Sequence, residues 1–193
     1  MKGRWMNKPR FDKTELIRQL KSRALKYGDF TLASGKKSHF YIDGRLITLS
    51  AGGSAVIADG ILEILERFPK VQAVGGLTMG ADPIVGGVLA RAGAFGREDL
   101  LGFLVRKEAK DHGTGKLVEG PLESGMKVVI LDDVATTGGS SLQAVRAVRA
   151  AGAEVVAVIV VLDRLQGADK NFEADGLKFY ALADLNDLEI KPA

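Results

Sequence analysis

The stretch VVILDDVATTGGSSLQAV, residues 128–145, decides the fold of this chain. It opens with aliphatic residues, continues with two acids and the turn Thr-Thr-Gly-Gly-Ser, and closes with an amphipathic segment. A continuous apolar run is typical of a strand that is buried on both faces, as in a parallel sheet. We therefore predict a strand over residues 126–131 and a helix over residues 140–151, with the acids at the carboxyl edge of the sheet.

The turn in this unit has the composition of a phosphate-binding loop. Gly138 and Gly139 allow the backbone to curl so that several N–H groups converge, and the helix that follows presents its positive end. Asp132 and Asp133 would repel a phosphate, unless they bind hydroxyl groups or a hydrated cation on the same ligand. A sugar phosphate meets both requirements, and an ordinary helix-capping loop is the alternative interpretation.

Two common nucleotide-binding motifs are excluded. A Walker A loop requires Gly, four residues and then Gly-Lys-Ser/Thr, but Gly115 and Lys116 are followed by Leu117, and Lys110 stands at the position of the first glycine. No G-x-G-x-x-G motif follows a predicted strand. The sequence therefore gives little support to a Walker-type nucleotide site or to a dinucleotide site.

The rest of the chain alternates predicted strands and helices. We predict further helices over residues 12–27, 55–68 and 83–92, and further strands over residues 30–32, 39–47, 71–75, 100–106, 155–162 and 177–181. The first two strands are expected to form a short antiparallel unit, and residues 76–82 and 107–125 are predicted to be loops. Strands that alternate with helices imply an α/β fold with a central, mostly parallel sheet flanked by helices.

Composition excludes several other classes of protein. The 193 residues are 46% hydrophobic and 26% charged, which is typical of a folded chain with one core. The sequence contains no cysteine, which excludes disulfide scaffolds and thiol nucleophiles, so that any metal would need oxygen ligands. No apolar run is long enough to span a bilayer, and the basic residues behind the net charge of +3 are spread along the chain. We expect a single cytoplasmic domain, residues 1–193, that binds neither membranes nor nucleic acids.

The segment around the two acids resembles the binding motif for phosphoribosyl pyrophosphate (PRPP) in the type I phosphoribosyltransferases. The resemblance implies the fold of that family, in which a small N-terminal hood, here about residues 11–50, adjoins a core, here about residues 51–193. In the family the two acids bind the ribose 2′ and 3′ hydroxyls, which would be the role of Asp132 and Asp133, and the turn holds the 5′-phosphate. The implied PRPP contacts continue through Val134, Ala135, Thr136, Thr137, Gly138, Gly139 and Ser140.

A basic segment, LVRKEAKDHGTGKLVEG, residues 104–120, indicates which branch of this family the chain resembles. A solvated charged loop is one interpretation of these residues. Mobile cations that close over a pyrophosphate leaving group would stabilise its charge and exclude water, which is the functional interpretation. The segment resembles the flexible catalytic loop of orotate phosphoribosyltransferases, which implies that Arg106, Lys107, Lys110 and His112 contact the pyrophosphate of PRPP, some of them across a dimer interface. Whether His112 donates a proton or only a hydrogen bond stays open.

Two further segments resemble the base pocket of the same enzymes. ASGKKSHFYIDGR resembles the hood segment whose aromatic strand lines the pocket, which implies that Tyr41 and Ile42 contact orotate. LDRLQG resembles the segment whose arginine binds the orotate carboxylate, and Arg164 is the matching residue, with the planar guanidinium that suits a carboxylate. Thr136 would give a second polar contact to the base. Ordinary strand packing of Tyr41 and a surface ion pair of Arg164 are the alternatives.

Two lysines of the family are absent from this chain. Well-known bacterial members have a lysine before the Ser-Gly of the hood, where this chain has Ala33. Members of the family often carry Tyr-Lys after the third strand, where this chain has Met79 and Gly80. Lys36 or Lys37 is a candidate replacement for the first lysine, and a backbone contact for the second. The resemblance covers roughly residues 11–180.

The resemblance therefore implies Mg²⁺-dependent transfer of a phosphoribosyl group from PRPP to orotate by a homodimer with shared active sites. The residues expected to be catalytic are Lys110, His112, Asp132 and Asp133. Mg²⁺ binds chiefly through substrate oxygens, so no protein ligand is assigned to it. The alternatives are a transferase for another base, and a regulator that senses PRPP and binds nucleic acid, although the chain shows no coherent basic face.

Overall fold

The computed structural model describes residues 10–31, 37–108 and 116–191. Two sheets and six α-helices are found in these ranges. The strands are β1 (Leu25–Thr31), β2 (Lys37–Ile42), β3 (Ala73–Leu77), β4 (Leu101–Val105), β5 (Val118–Glu119), β6 (Lys127–Ala135), β7 (Glu154–Asp163) and β8 (Lys178–Asp184). The helices are α1 (Lys13–Gln19), which a π-helical turn (Leu20–Ala24) follows, α2 (Arg45–Thr48), α3 (Ala51–Leu65), α4 (Asp82–Ala94), α5 (Gly139–Ala150) and α6 (Ala168–Ala174).

The larger sheet has six strands in the order β5-β4-β3-β6-β7-β8. Its pairs are parallel, apart from the edge pair of β4 with the short β5. The other sheet is the antiparallel pair of β1 and β2. These observations confirm the predicted α/β class, the mostly parallel central sheet and the antiparallel unit near the start of the chain. None of the described helices has both the length and the apolar character needed to cross a membrane.

Both faces of the central sheet are covered, which explains the continuous apolar run in β6. Val129 and Leu131 belong to a core that includes residues of α3 and α4. Val128 and Ile130, which point to the other face, belong to a second core with residues of α5 and with Phe172 of α6. Alternate side chains of one strand thus enter two different cores, as expected for a parallel sheet between helical layers.

The helix predicted over residues 12–27 is too long. It begins as expected, because the Asp12 side chain accepts a hydrogen bond from the Glu15 amide (3.0 Å), but helical structure ends at Ala24. The next residues form β1 and pair with β2. Pairing of backbone groups across two strands outweighs the helical spacing of the apolar side chains in this segment.

The strand predicted over residues 39–47 is also wrong at its end, because β2 stops at Ile42 and α2 follows. The cause is a local turn. The Asp43 side chain accepts a hydrogen bond from the Arg45 amide (3.2 Å), and the Asp43 carbonyl accepts one from the Leu46 amide (3.2 Å). This turn redirects the chain into the short helix.

Other elements are longer than predicted. The helix predicted over residues 55–68 begins at Ala51 and ends at Leu65, because the Ser50 side chain caps it by accepting a hydrogen bond from the Gly53 amide (3.2 Å). The helix predicted over residues 83–92 extends at both ends, with proline in its first turn as expected. Most of the remaining predicted strands, and α5, differ by one to three residues at their ends.

The sequence reading misses two elements and misplaces the acid pair. The short β5 lies inside the loop predicted over residues 107–125, and α6 lies in a segment for which no element was predicted. β3 includes two residues of the loop predicted over residues 76–82. β6 continues to Ala135, so that Asp132 and Asp133 are the carboxyl-terminal part of the strand and not the loop beyond it.

Candidate active site

A cavity of about 320 Å³ opens at the carboxyl ends of β3 and β6. The hood lines one side, and the ends of β3, β4 and β6 with the residues after them line the other. The lining residues are Tyr41, Ile42, Asp43, Gly44, Arg45, Leu77, Thr78, Met79, Gly80, Lys107, Asp132, Asp133, Val134 and Ser140. The cavity therefore brings together the acid pair, one cation of the basic segment and both hood residues that were predicted to contact the base.

Asp132 is the most buried polar group of the cavity, with 5% of its surface exposed. Its Oδ2 accepts a hydrogen bond from Ser141 Oγ (2.8 Å), and its Oδ1 accepts one from the Asp133 amide (3.0 Å). Burial raises the pKa of Asp132 to about 6; the Ser141 hydrogen bond opposes this change, and the charge of Asp133 adds to it. The ionised carboxylate is therefore costly in the free protein, and a ligand hydroxyl or a cation would stabilise it.

Asp133 lies between two glycines from different parts of the chain. Its Oδ1 accepts a hydrogen bond from the Val134 amide (2.8 Å). A Cβ atom at Gly44 would lie 3.0 Å from Asp133 Oδ2, and a Cβ atom at Gly80 would lie 3.0 Å from Oδ1 of both Asp132 and Asp133. The absence of side chains at these two positions lets the hood and the segment after β3 approach the acid pair closely.

The predicted phosphate-binding turn is held by α6. Gly138 has a left-handed backbone conformation (φ +78°), and a Cβ atom there would lie 2.5 Å from the Phe172 ring, so glycine is required on both grounds. Asn171 Nδ2 donates a hydrogen bond to the Thr137 carbonyl (2.8 Å). α5 begins at Gly139, and no side chain at the preceding position caps its first amides. The turn is thus a rigid loop with a helix N-terminus that can accept an anion.

Arg164 is a buried cation with no anionic partner among the described residues. It follows β7, is 7% exposed, and its amide donates to the Ala135 carbonyl at the end of β6 (2.9 Å). The guanidinium carbon lies 5.2 Å from the centroid of the Phe40 ring. Its Nε and Nη2 have no hydrogen-bond partner among the described residues, and burial lowers the pKa of Arg164. The surface ion pair considered for this residue is therefore not formed within the described ranges, and the unpaired donors suit an anionic group of a ligand.

The basic segment leaves and rejoins the sheet at one point. The Arg106 amide donates to the Leu117 carbonyl (2.8 Å), next to the pairing of β4 with β5. Lys107 lines the cavity, and its carbonyl accepts a hydrogen bond from Gln143 Nε2 of α5 (3.0 Å). The start of the segment is therefore fixed to the same helix that follows the phosphate-binding turn.

Several predicted site residues lie beside the cavity wall or outside the described ranges. The Arg106 guanidinium lies 3.6 Å from the Glu119 carboxylate and does not line the cavity. Lys110 and His112 are outside the described residues. The predicted residues that occupy the adjoining edge of the sheet without lining the cavity are Ala135, Thr136, Thr137, Gly138, Gly139 and Arg164.

Sequence reasoning missed Asp43, Arg45 and Asn171 in this region, and it assigned the Ser141 hydroxyl to the phosphate. Asp43 and Arg45 line the cavity and form an ion pair with two hydrogen bonds (2.9 and 3.2 Å), which lowers the pKa of Asp43. Ser141 belongs to a turn expected to bind phosphate, yet its hydroxyl donates to Asp132. Asn171 carries no local signal, because only the packing of α6 brings it to the turn. For Asp43 and Arg45, the one signal in the sequence is the Asp-Gly-Arg triplet at the end of a predicted strand.

Comparison with known proteins agrees with this geometry. Residues 50–176 match the model of the phosphoribosyl transferase domain family. The chain is 44% identical over 186 residues to the orotate phosphoribosyltransferase of Rhodopirellula baltica, with 94% of this chain and 96% of that protein covered. The crystal structure of Mycobacterium tuberculosis H37Rv orotate phosphoribosyltransferase with Fe(III) dicitrate superposes with a TM-score of 0.82 and 38% identity, covering 92% of this chain and 99% of that one. The structure of that enzyme with PRPP gives a TM-score of 0.78 and 34% identity, with the same coverage of 92% and 99%.

Proposed function

The chain belongs to the orotate phosphoribosyltransferase family, and we propose that it transfers the phosphoribosyl group of PRPP to orotate, giving orotidine 5′-monophosphate (OMP) and pyrophosphate, in the de novo synthesis of UMP. The observation that carries the choice of orotate is the buried Arg164 guanidinium, with two nitrogens that lack partners among the described residues. The carboxylate of orotate would pair with it. Uracil and the purine bases have no such group and would leave the charge unpaired, which is costly.

The two acids and the turn bind different parts of PRPP. Asp132 and Asp133 accept hydrogen bonds from the ribose 2′ and 3′ hydroxyls, and residues 136–140 hold the 5′-phosphate at the N-terminus of α5. N1 of orotate forms a bond to C1 of the ribose while the bond from C1 to the pyrophosphate oxygen breaks, the electron pair leaves with pyrophosphate, and the proton of N1 passes to solvent or to the pyrophosphate. The ribose is oxocarbenium-like in between, and the nearby carboxylates favour its positive charge. Catalysis is then positioning and electrostatics, without a covalent enzyme intermediate.

The hood supplies the apolar wall of the base site. Tyr41 and Ile42 line the cavity, and the Tyr41 ring lies 5.6 Å from the ring of Phe30, so that an aromatic pair backs this wall. A flat pyrimidine would lie against it with its carboxylate on Arg164. Thr136, at the end of β6, gives a second polar contact to the base.

The acid pair fits a Mg²⁺ ion that arrives with PRPP. No group of three or more His, Cys, Asp or Glu side chains in the described ranges is placed to hold a metal by itself. Mg²⁺ commonly keeps several waters and binds through substrate phosphates and one or two carboxylates, and Asp132 and Asp133 are the carboxylates nearest to the ribose in this proposal. When bound, the ion would offset the negative charge of the departing pyrophosphate.

The basic segment completes the site in this proposal. Lys107 contacts the diphosphate of PRPP from within the same subunit, in keeping with its place in the cavity wall. Arg106, Lys110 and His112 contact it as well, some of them in the site of the neighbouring subunit of a homodimer. The protein acts as one domain in the cytoplasm.

The experiment that tests the function follows the loss of orotate absorbance with purified protein, PRPP and Mg²⁺. Matched reactions replace orotate with uracil or hypoxanthine, and one omits the metal. Rapid loss that requires orotate and Mg²⁺ supports the proposal. If PRPP binds but orotate is not consumed, the assignment is wrong and another base or a PRPP-sensing role takes its place.

A further inference from the structure

We propose that Arg45 binds the diphosphate group of PRPP and that Asp43 positions its guanidinium for this contact, an inference that rests on the function proposed above. Arg45 lines the same cavity as the acid pair and Lys107. Neither the sequence motifs nor the resemblance to the family assigned it a role. The position of Arg45 in the cavity wall and the charges around it support this role.

Among the described residues, the lining of the cavity is poor in positive charge for the proposed substrate. The carboxylates of Asp43, Asp132 and Asp133 line it, and among the described residues the cations of its wall are Arg45 and Lys107. PRPP carries a 5′-phosphate and a diphosphate, both of which the carboxylates repel. Each cation in the wall therefore has a large effect on whether the diphosphate can enter.

The cation that the resemblance led us to expect after β3 has no room there. Gly80 occupies that position, and a Cβ atom on it would lie 3.0 Å from an oxygen of each acid. A lysine at this position would require both carboxylates to move. The positive charge at this edge must come from another part of the chain.

Arg45 approaches the acid pair from the hood. Gly44 brings the backbone against Asp133, since a Cβ atom there would lie 3.0 Å from Asp133 Oδ2. Hydrogen bonding to Asp43 raises the pKa of Arg45, and the charge of Asp133 acts in the same direction. The guanidinium thus lies within electrostatic reach of Asp133 in the acid pair.

The diphosphate is the anionic group left for Arg45. The turn before α5 takes the 5′-phosphate, and Arg164 takes the orotate carboxylate. Arg45 uses two N–H donors on Asp43 (2.9 and 3.2 Å), and a guanidinium has five. The ion pair holds the planar fork in one orientation, and a preorganised fork suits phosphate oxygens better than a flexible ammonium does.

The test compares Arg45→Met with Arg18→Met. Arg18 forms a similar pair with Glu15 on α1 (2.7 and 2.6 Å) but does not line the cavity, which makes it a matched control. Arg45→Met is expected to raise KM for PRPP in the forward reaction, and for pyrophosphate in the reverse reaction, by about 10-fold or more. KM for orotate and for OMP, which carry no diphosphate, should stay within about twofold. Arg18→Met should leave all four constants unchanged.

A double variant separates direct contact from simple exposure of Asp43. In Arg45→Met the Asp43 carboxylate loses its partner and would itself repel the diphosphate. Asp43→Asn combined with Arg45→Met removes that repulsion, and direct contact predicts that KM for PRPP stays about fivefold or more above wild type. Asp43→Asn alone should raise the same two constants by a smaller factor. Arg45→Lys, which keeps the charge without the fork, should be intermediate and serves if Arg45→Met does not fold.

Three results would overturn the inference: an unchanged KM for PRPP in Arg45→Met, wild-type values in the double variant, or an equal rise in KM for OMP. Failure of the wild-type protein to consume orotate would instead refute the proposed function. An active wild type with an unaffected Arg45→Met variant would refute only the role of Arg45.

Discussion

The two walls of the cavity are built in different ways. The framework wall consists of β6, the turn and α5, where Asp132 is buried and Gly138 packs against Phe172. The overlying wall consists of hood residues 41–45 together with Lys107 of the basic segment, and the Tyr41 and Arg45 side chains in it are substantially exposed. The framework wall should therefore couple activity to stability, whereas the overlying wall should carry activity with little effect on the free energy of unfolding.

The largest expected effect is in the basic segment, which is proposed to act together with the overlying wall. Lys110→Ala should lower turnover by about 100-fold to 1,000-fold, the range for loss of one donor to a developing charge, while the melting temperature stays unchanged. Steady-state rates with saturating PRPP and orotate, together with a thermal melt, measure both. Lys70→Ala is the control, because Lys70 is an exposed lysine at the opposite edge of the sheet. Wild-type turnover in Lys110→Ala would remove this segment from the mechanism.

The framework wall should respond to Gly138→Ala in both activity and stability. The left-handed backbone alone costs an alanine about 1 kcal/mol, and overlap with the Phe172 ring should bring the loss in free energy of unfolding to about 3 kcal/mol. Gly125→Ala isolates the first contribution, because Gly125 has a similar φ (+83°) and no atom within 4 Å of a Cβ. Urea unfolding of the two variants measures the difference. Equal losses would mean that α6 does not support the turn.

Asp132 is expected to be an exception to the coupling of activity and stability in the framework wall, because burial of its carboxylate opposes the stability of the fold. Its pKa in the folded protein, about 6, lies above the ordinary value of 3.8, so the folded protein keeps a proton that the unfolded chain has released between these values. Stability contributed by this group is full below pH 3.8 and is lost as the pH rises through about 6, by about 3 kcal/mol in all.

Asp132→Asn removes this titration. The variant should be more stable than wild type at pH 7 to 8, should lose less stability than wild type as the pH rises through about 6, and should be severely impaired in the use of PRPP. Unfolding free energies between pH 4 and pH 8 measure the effect. A parallel pH dependence in the two proteins would show that another group titrates there.

Arg164→Met should also lower activity without lowering stability, and its effect on stability should be smaller than that of Asp132→Asn. Removal of a buried guanidinium that has no ion-pair partner in the described ranges should leave the free energy of unfolding unchanged or raise it by about 1 kcal/mol. KM for orotate should rise by about 30-fold through loss of the charged pair, while KM for PRPP changes little. Initial rates at varied orotate concentration and a urea titration check the two parts. A rise in KM for PRPP of the same size would contradict the assignment to the base.

The division between the walls also explains what the sequence could predict. The β6–α5 unit is encoded locally, since buried aliphatic residues, two acids and a glycine turn follow one another in the chain. Its acids, its turn and the later Arg164 are therefore recognisable from the sequence. The residues that support this unit could not be recognised from the sequence. Phe172, Asn171 and Ser141 acquire their roles only when α5 and α6 pack beside β6.

The hood was harder to predict because tertiary pairing determines it. The residues after Ala24 have helical spacing but pair with β2, and the turn at Asp43 converts the end of a predicted strand into α2. Arg45 was overlooked for the same reason. Its position near Asp133 depends on Gly44, which lets the hood backbone approach a residue far along the chain, and a glycine does not signal such a contact by itself.

The hydrogen bond between Arg106 and Leu117 sets a geometric limit on the basic segment. Because both ends are fixed at one point of the sheet, the contour length of the chain between them limits how far each position can lie from that point. Lys110 is four residues from Arg106, so the two Cα atoms can be at most about 14 Å apart. Lys110 can therefore contact only a diphosphate that lies within that distance plus the length of one lysine side chain from Arg106, whether the ribose attached to it is held by the same subunit or by its partner.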